Sequence, residues 1–176
     1  GDKALHDSCR VFHDGTGSYD IVSKAAKHLL QMYPIAGTKV TLAPENLPYL
    51  TGAIRHLYSL GYRNIPANCV FEDVWQEHHP QLLYDQLIEL ADWMIDNEIY
   101  KDLYTSLFEE RFVQKPSQEE YDRQKTTAFC GGNGRMVAFA PDGKVYPCLR
   151  YMKHSLNNQP ERPIGELSLG LYTDKE

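Results

Sequence analysis

The sequence predicts an α/β protein in which helices and short strands alternate over residues 1–113, followed by a small β-hairpin extension. Three observations carry this reading. Apolar residues recur at helical spacing in three stretches. Between those stretches lie two short runs with strand character. Near the end, a Pro-Asp-Gly sequence joins two more apolar runs, which is the chemistry of a tight hairpin turn.

The first helix is expected over residues 17–33, where Ile21, Val22, Ala25, Leu29 and Leu30 share a face and Ser18 can cap an orphan backbone N–H. Pro34 and Gly37 stop it, and the β-branched alternation of residues 38–42 predicts a strand. Asn46 opens a second helical pattern carried by Leu50, Ala53, Ile54, Leu57 and Leu60, with Gly61 at its C-terminal stop. Residues 64–71 read as the next strand, although Pro66 inside it cannot donate a ladder hydrogen bond. A long helix follows Pro80 on Leu82, Leu83, Leu87, Leu90, Ala91, Met94 and Ile95. This order leaves crossovers long enough for parallel strands.

Composition changes at Gln114, where a polar segment containing Pro116 reads as a linker over residues 114–129. The remainder, residues 130–176, holds the hairpin: an apolar run from Met136 to Ala140, the turn Pro141-Asp142-Gly143, and Lys144-Val145-Tyr146.

Bulk properties narrow the function. A chain of 176 residues with 42% hydrophobic and 24% charged residues can bury a core and is not disordered as a whole. A formal net charge of −6 argues against broad nucleic-acid binding, since phosphate backbones are met by concentrated positive charge. No apolar run approaches the ~20 residues needed to span a bilayer, and residues 1–7 have no signal-peptide core. The expected location is the cytoplasm. Cys9, Cys69, Cys130 and Cys148 lie far apart in a chain that does not need disulfide staples, which fits a reducing compartment.

Cys130 and Cys148 frame the hairpin in the pattern C-x(12)-G-x(4)-C, with Gly131, Gly132 and Gly134 after the first cysteine. A hairpin brings its ends together, so the two thiols can converge on one metal, and thiolates select iron–sulfur clusters or zinc. Unpaired core cysteines, a cross-strand disulfide and half of a zinc ribbon satisfy the same spacing.

The run from Phe129-Cys130-Gly131-Gly132 through Ala140-Pro141-Asp142-Gly143-Lys144-Val145-Tyr146-Pro147-Cys148 resembles the opening of the SPASM domain, an extension of radical S-adenosylmethionine (radical SAM) enzymes. Pro163-Ile164-Gly165-Glu166-Leu167 is similar to the stretch that follows the hairpin in that family. Independently, His6-Asp7-Ser8-Cys9-Arg10 followed by Gly15-Thr16-Gly17-Ser18-Tyr19-Asp20 resembles the segment leaving the fourth barrel strand of SPASM-type peptide-modifying enzymes.

The resemblance implies the C-terminal half of a partial (β/α)6 TIM-like barrel followed by a truncated SPASM-like extension. It implies an oxidoreductase that modifies a peptide or protein side chain using S-adenosyl-L-methionine and 4Fe-4S clusters. Arg10 would contact the cofactor's carboxylate, and Cys130 and Cys148 would be two metal ligands of an auxiliary cluster. His6 and Asp7 are expected to organise their loop by hydrogen bonding, with Cys9 a small, partly covered side chain and Cys69 a core residue. The adjacent pair His78-His79 reads as a solvated helix entrance rather than a metal site.

The CxxxCxxC loop that holds the radical-generating cluster does not occur among these residues. The chain is therefore expected to be a fragment, inactive by itself, that self-associates through exposed barrel edges. Two other readings stand beside this one. In the first, a non-catalytic α/β binding or scaffold domain carries a structural zinc on Cys130 and Cys148, completed by His154 or another chain. In the second, both cysteines are free thiols in a structural fragment.

Overall fold

A helix crossing between two parallel strands organises the first of two compact units, Gly1–Gln114 and Lys115–Glu176. The computed structural model describes residues 1–70, 72–109, 117–119, 136–153 and 160–172. The fold is mixed α/β, and no described helix is long and apolar enough to cross a membrane.

In the first unit the elements are α1 (Lys3–Cys9), α2 (Tyr19–Met32), β1 (Val40–Leu42), α3 (Leu50–Ser59), β2 (Ala67–Cys69) and α4 (His79–Asp96). Strands β1 and β2 pair in parallel with Val40 opposite Ala67 and Leu42 opposite Cys69, and α3 lies between them in the chain. Beyond β2, Ile65 N–H donates to Tyr104 C=O and Tyr104 N–H donates to Arg63 C=O, so a third segment continues the parallel ladder.

The core sits between β1, α3 and α4. Leu42, Leu47, Leu50, Ile54, Ile65 and Leu90 are fully buried, and Leu82, Leu83 and Leu87 pack against them. Each such side chain contributes roughly 1.5–3 kcal/mol by leaving water. The apolar periodicity of α3 and α4 therefore points inward as expected, apart from the exposed Ile95.

Four features depart from the sequence reading. Residues 3–9 form a helix that the motif did not suggest, started by Asp2, whose carboxylate accepts Leu5 N–H at 2.9 Å. Asn46 does not open α3. Its side chain instead brackets the end of β1, while the 3-10 turn Leu47–Tyr49 leads into the helix. The inward stripe of α2 is Tyr19, Ser23, Ala26 and Leu30, so Ile21 is 64% exposed although it belongs to the expected apolar face. Small Ala26 lets the α2 backbone lie close to the core, which a helix docked through Ile21 and Leu29 could not do. Finally, Cys69 is exposed rather than part of the core, because it ends a three-residue strand.

The second unit contains β3 (Ala138–Phe139), β4 (Lys144–Tyr146), β5 (Gly165–Glu166) and β6 (Gly170–Leu171), antiparallel in the order β3-β4-β5-β6. The Pro-Asp-Gly turn forms as its chemistry requires. Gly143 N–H donates to Ala140 C=O at 2.9 Å, Gly143 adopts φ +89°, and Asp142 Oδ1 accepts Lys144 N–H. The Ile164-Gly165-Glu166 stretch then pairs with β4.

Candidate functional site

Residues 6–19 close into one hydrogen-bonded loop at the entrance to α2. Arg10 ends α1, and its N–H donates to His6 C=O at 2.9 Å. From there the chain makes a short antiparallel excursion: Ser18 N–H donates to Arg10 C=O, Val11 bridges Gly17, and Phe12 N–H donates to Thr16 C=O. The tip is fixed by Gly15 at φ +83° and by Asp14, whose Oδ1 accepts both the N–H and the hydroxyl of Thr16. Those two donors hold the Asp14 carboxyl below the ordinary aspartate range.

Ser18 precedes α2 as expected but does not cap it with its side chain. Its hydroxyl turns back to Arg10 C=O at 2.9 Å, and the cap comes from across the loop, where Asp7 Oδ1 accepts Tyr19 N–H at 2.8 Å. A Cβ on Gly17 would collide with the Asp7 carboxyl, which is why the residue beside that cap is glycine. Lys3 pairs with Asp20 at the edge of the same loop. His6 and Asp7 thus perform the hydrogen-bonding role that their positions suggested.

His6 and His56 flank Tyr19. The Tyr19 hydroxyl lies 2.7 Å from His56 Nε2, and the His6 ring stands edge-on to the phenol with centroids 5.7 Å apart. Burial lowers the pKa of both imidazoles from the ordinary histidine value, and the Arg10 charge lowers that of His6 further. His56 had no sequence signal, since it joins the group only through tertiary contact 37 residues away.

This loop walls a cavity of about 240 Å³, whose opposite side is β1 with Lys39 and Thr41. Thr38 and Val40 donate to the β2 side, so Lys39 and Thr41 present their backbone groups at the other edge. Asn46 covers the end of that edge, donating to Thr41 C=O and accepting Ala43 N–H as a neighbouring strand would. Ser106 does the same for β2, accepting from Ala67 N–H and donating to Ala67 C=O. Arg10 lines the cavity, and its guanidinium makes no hydrogen bond or ion pair among the described residues.

The cysteines are distributed differently. Cys148 is a half-buried free thiol just beyond β4, and its C=O accepts Tyr151 N–H at the start of a 3-10 turn. Cys130, the neighbouring glycines and His154 lie outside the described residues. Cys9 is an exposed free thiol, more open than its motif position suggested. The Cys69 thiol is raised in pKa by partial desolvation despite the exposure of its residue. Among the described residues, no three His, Cys, Asp or Glu side chains converge to hold a metal.

The histidine pair also differs from its reading. His79 is buried, its ring edge-on to Trp75, and its Nδ1 accepts Gln76 N–H at 2.9 Å. His79 is thus a packed part of the α4 entrance, and only His78 is solvated.

In the second unit Tyr146 donates to Glu161 Oε2 at 2.6 Å and Lys144 to Glu161 Oε1 at 2.9 Å, a network with no local sequence signal. No protein-family model matches the sequence, and no curated protein matches it.

Proposed function

We propose that the chain belongs to a radical SAM enzyme of the SPASM type acting on a peptide or protein side chain. Arg10 would bind the carboxylate of S-adenosyl-L-methionine, and Cys130 and Cys148 would be two ligands of an auxiliary 4Fe-4S cluster. The carrying observation is that the His-Asp, Arg and Gly-Ser-Tyr-Asp elements close into one loop that places the Arg10 guanidinium on a cavity, with no hydrogen bond or ion pair among the described residues.

The residues fit those groups chemically. A guanidinium fork matches a carboxylate in two parallel hydrogen bonds, and the half-buried Cys148 thiol follows a formed hairpin. The parallel β1-α3-β2 arrangement, continued by the Asn64–Tyr104 bridge, is compatible with consecutive units of a TIM-like barrel. The bound cofactor and its cluster would supply the 5′-deoxyadenosyl radical. This chain's own residues bind, orient and cover. Its four cysteines do not compose a CxxxCxxC loop, so by itself it would not form that radical.

Anaerobic reconstitution with iron and sulfide tests the reading, with metal quantitation and a visible spectrum for the chain and its Cys130→Ala and Cys148→Ala variants. Bound iron with a charge-transfer band that both variants lose is expected. Zinc in place of iron would favour the scaffold reading, and no metal uptake would remove the cluster from the proposal. In parallel, Arg10→Ala should abolish measurable binding of S-adenosyl-L-methionine.

A further inference from the structure

The loop that presents Arg10 carries a chain of side-chain hydrogen bonds. His6 Nε2 lies 2.9 Å from Ser18 Oγ, and the Ser18 hydroxyl donates to Arg10 C=O at 2.9 Å. A serine hydroxyl has one hydrogen. With that hydrogen committed to Arg10, the Ser18 oxygen faces His6 only as an acceptor. The neutral imidazole must then carry its hydrogen on Nε2, leaving Nδ1 as the lone-pair nitrogen. Burial and the Arg10 charge, which lower the pKa of His6, favour the neutral ring at pH 7.

The effect of this chain of bonds falls on one residue. Arg10 N–H donates to His6 C=O, and Arg10 C=O accepts both the N–H and the hydroxyl of Ser18. Both backbone polar groups of Arg10 are therefore fixed by His6 and Ser18, while its side chain lines the cavity without a hydrogen bond or ion pair among the described residues. Capping of α2 is handled separately by Asp7. His6 is thus free of the helix-capping role, and its ring hydrogen-bonds to Ser18 and stands edge-on to Tyr19.

Resting on the reading of Arg10 as a carboxylate-binding residue, we propose that His6 is its positioning residue. The Nε2–H of His6 orients the Ser18 hydroxyl, Ser18 fixes the Arg10 carbonyl, and the guanidinium is thereby held toward the cavity.

The test uses the full chain uniformly labelled with 15N. Imidazole nitrogen shifts should show His6 as the Nε2–H tautomer, and Ser18→Ala should relax it toward a mixture. His6→Ala should move the Arg10 and Val11 amide resonances. His6→Gln, whose side-chain amide can replace the Nε2–H donor, should leave them near their original positions. S-adenosyl-L-methionine affinity should fall about five- to tenfold in His6→Ala, the worth of one hydrogen bond, and return to within about twofold in His6→Gln. An Nδ1–H tautomer, or equal loss in the Ala and Gln variants, would overturn the proposal. If the unaltered chain does not bind S-adenosyl-L-methionine, the Arg10 reading fails, and the tautomer and amide shifts still decide the role of His6.

Discussion

The two compact units reach order by different routes. In Gly1–Gln114 a continuous cluster of buried aliphatic side chains supports β1, β2, α3 and α4, and the polar loop of residues 6–19 is built on that frame. In Lys115–Glu176 the buried apolar side chains among the described residues are Ala138, Val145 and Tyr146, and the hairpin also relies on a hydrogen-bonded charge network. A small unit with few buried residues gains disproportionately from a cross-link such as a metal centre. On the proposed function, the well-cored unit would present Arg10 to its ligand, and the other unit is where a metal centre would act as a staple.

The largest expected effect tests this asymmetry directly. Ile54 is 0% exposed at the centre of the first unit, and Ile54→Ala should cost about 2–5 kcal/mol. Val145→Ala should cost roughly 1–2 kcal/mol, because fewer methyl groups leave a smaller and more easily relaxed cavity. Urea unfolding followed by circular dichroism measures both. Equal costs would mean that the hairpin unit has a core as substantial as its neighbour's, and the argument for a staple would weaken.

A second prediction sharpens the account of the loop. Gly17→Ala should cost about 1–3 kcal/mol by forcing the Asp7 carboxyl away from Tyr19 N–H. Asp7→Ala alone should cost about 1 kcal/mol through loss of the cap. Since the nearest atoms to an added Cβ all belong to Asp7, the Gly17→Ala penalty should largely vanish in the Asp7→Ala background. Additive costs in the double variant would show that glycine is required there for another reason.

The legible parts of the fold were those governed by local periodicity or turn chemistry. Leu50, Ala53 and Ile54 on α3 and the Pro141-Asp142-Gly143 turn behaved as their patterns dictate. The face of α2 was misread because spacing identifies a stripe but not which stripe docks. Ala26 won by being small, leaving Ile21 and Leu29 outside. Asn46 resembled a helix start because its side chain competes for backbone hydrogen bonds, and it uses that ability on the edge of β1 instead. Within the site, His6, Asp7 and Arg10 were visible through their motif, whereas His56 enters through a contact 37 residues distant in sequence; in the hairpin of the second unit, Glu161 likewise enters through a contact 15 residues distant. No local rule could find such partners.

The smallest expected effect lies in the hairpin network. The hydrogen bond from Tyr146 to Glu161, assisted by burial, pushes the phenol up to about 12. Tyr146 and then Lys144 hold Glu161 below the usual glutamate range, and Glu161 raises Lys144. The signs differ. The Tyr146 contribution to stability is complete below the ordinary tyrosine value of about 10 and is lost as pH rises from there through about 12. The contribution of Glu161 is complete above its ordinary range and is lost as pH falls through its lowered folded value. Lys144 and Glu161 are each about one-third exposed, so solvent screening keeps the change in unfolding midpoint small. Ultraviolet absorbance of phenolate formation gives the clearer readout. One late-titrating phenol should disappear in Tyr146→Phe and return toward ordinary tyrosine behaviour in Glu161→Gln. A late phenol that survives Glu161→Gln would assign the shift to burial, and the hairpin unit would then depend on its small apolar core more than on the charge network.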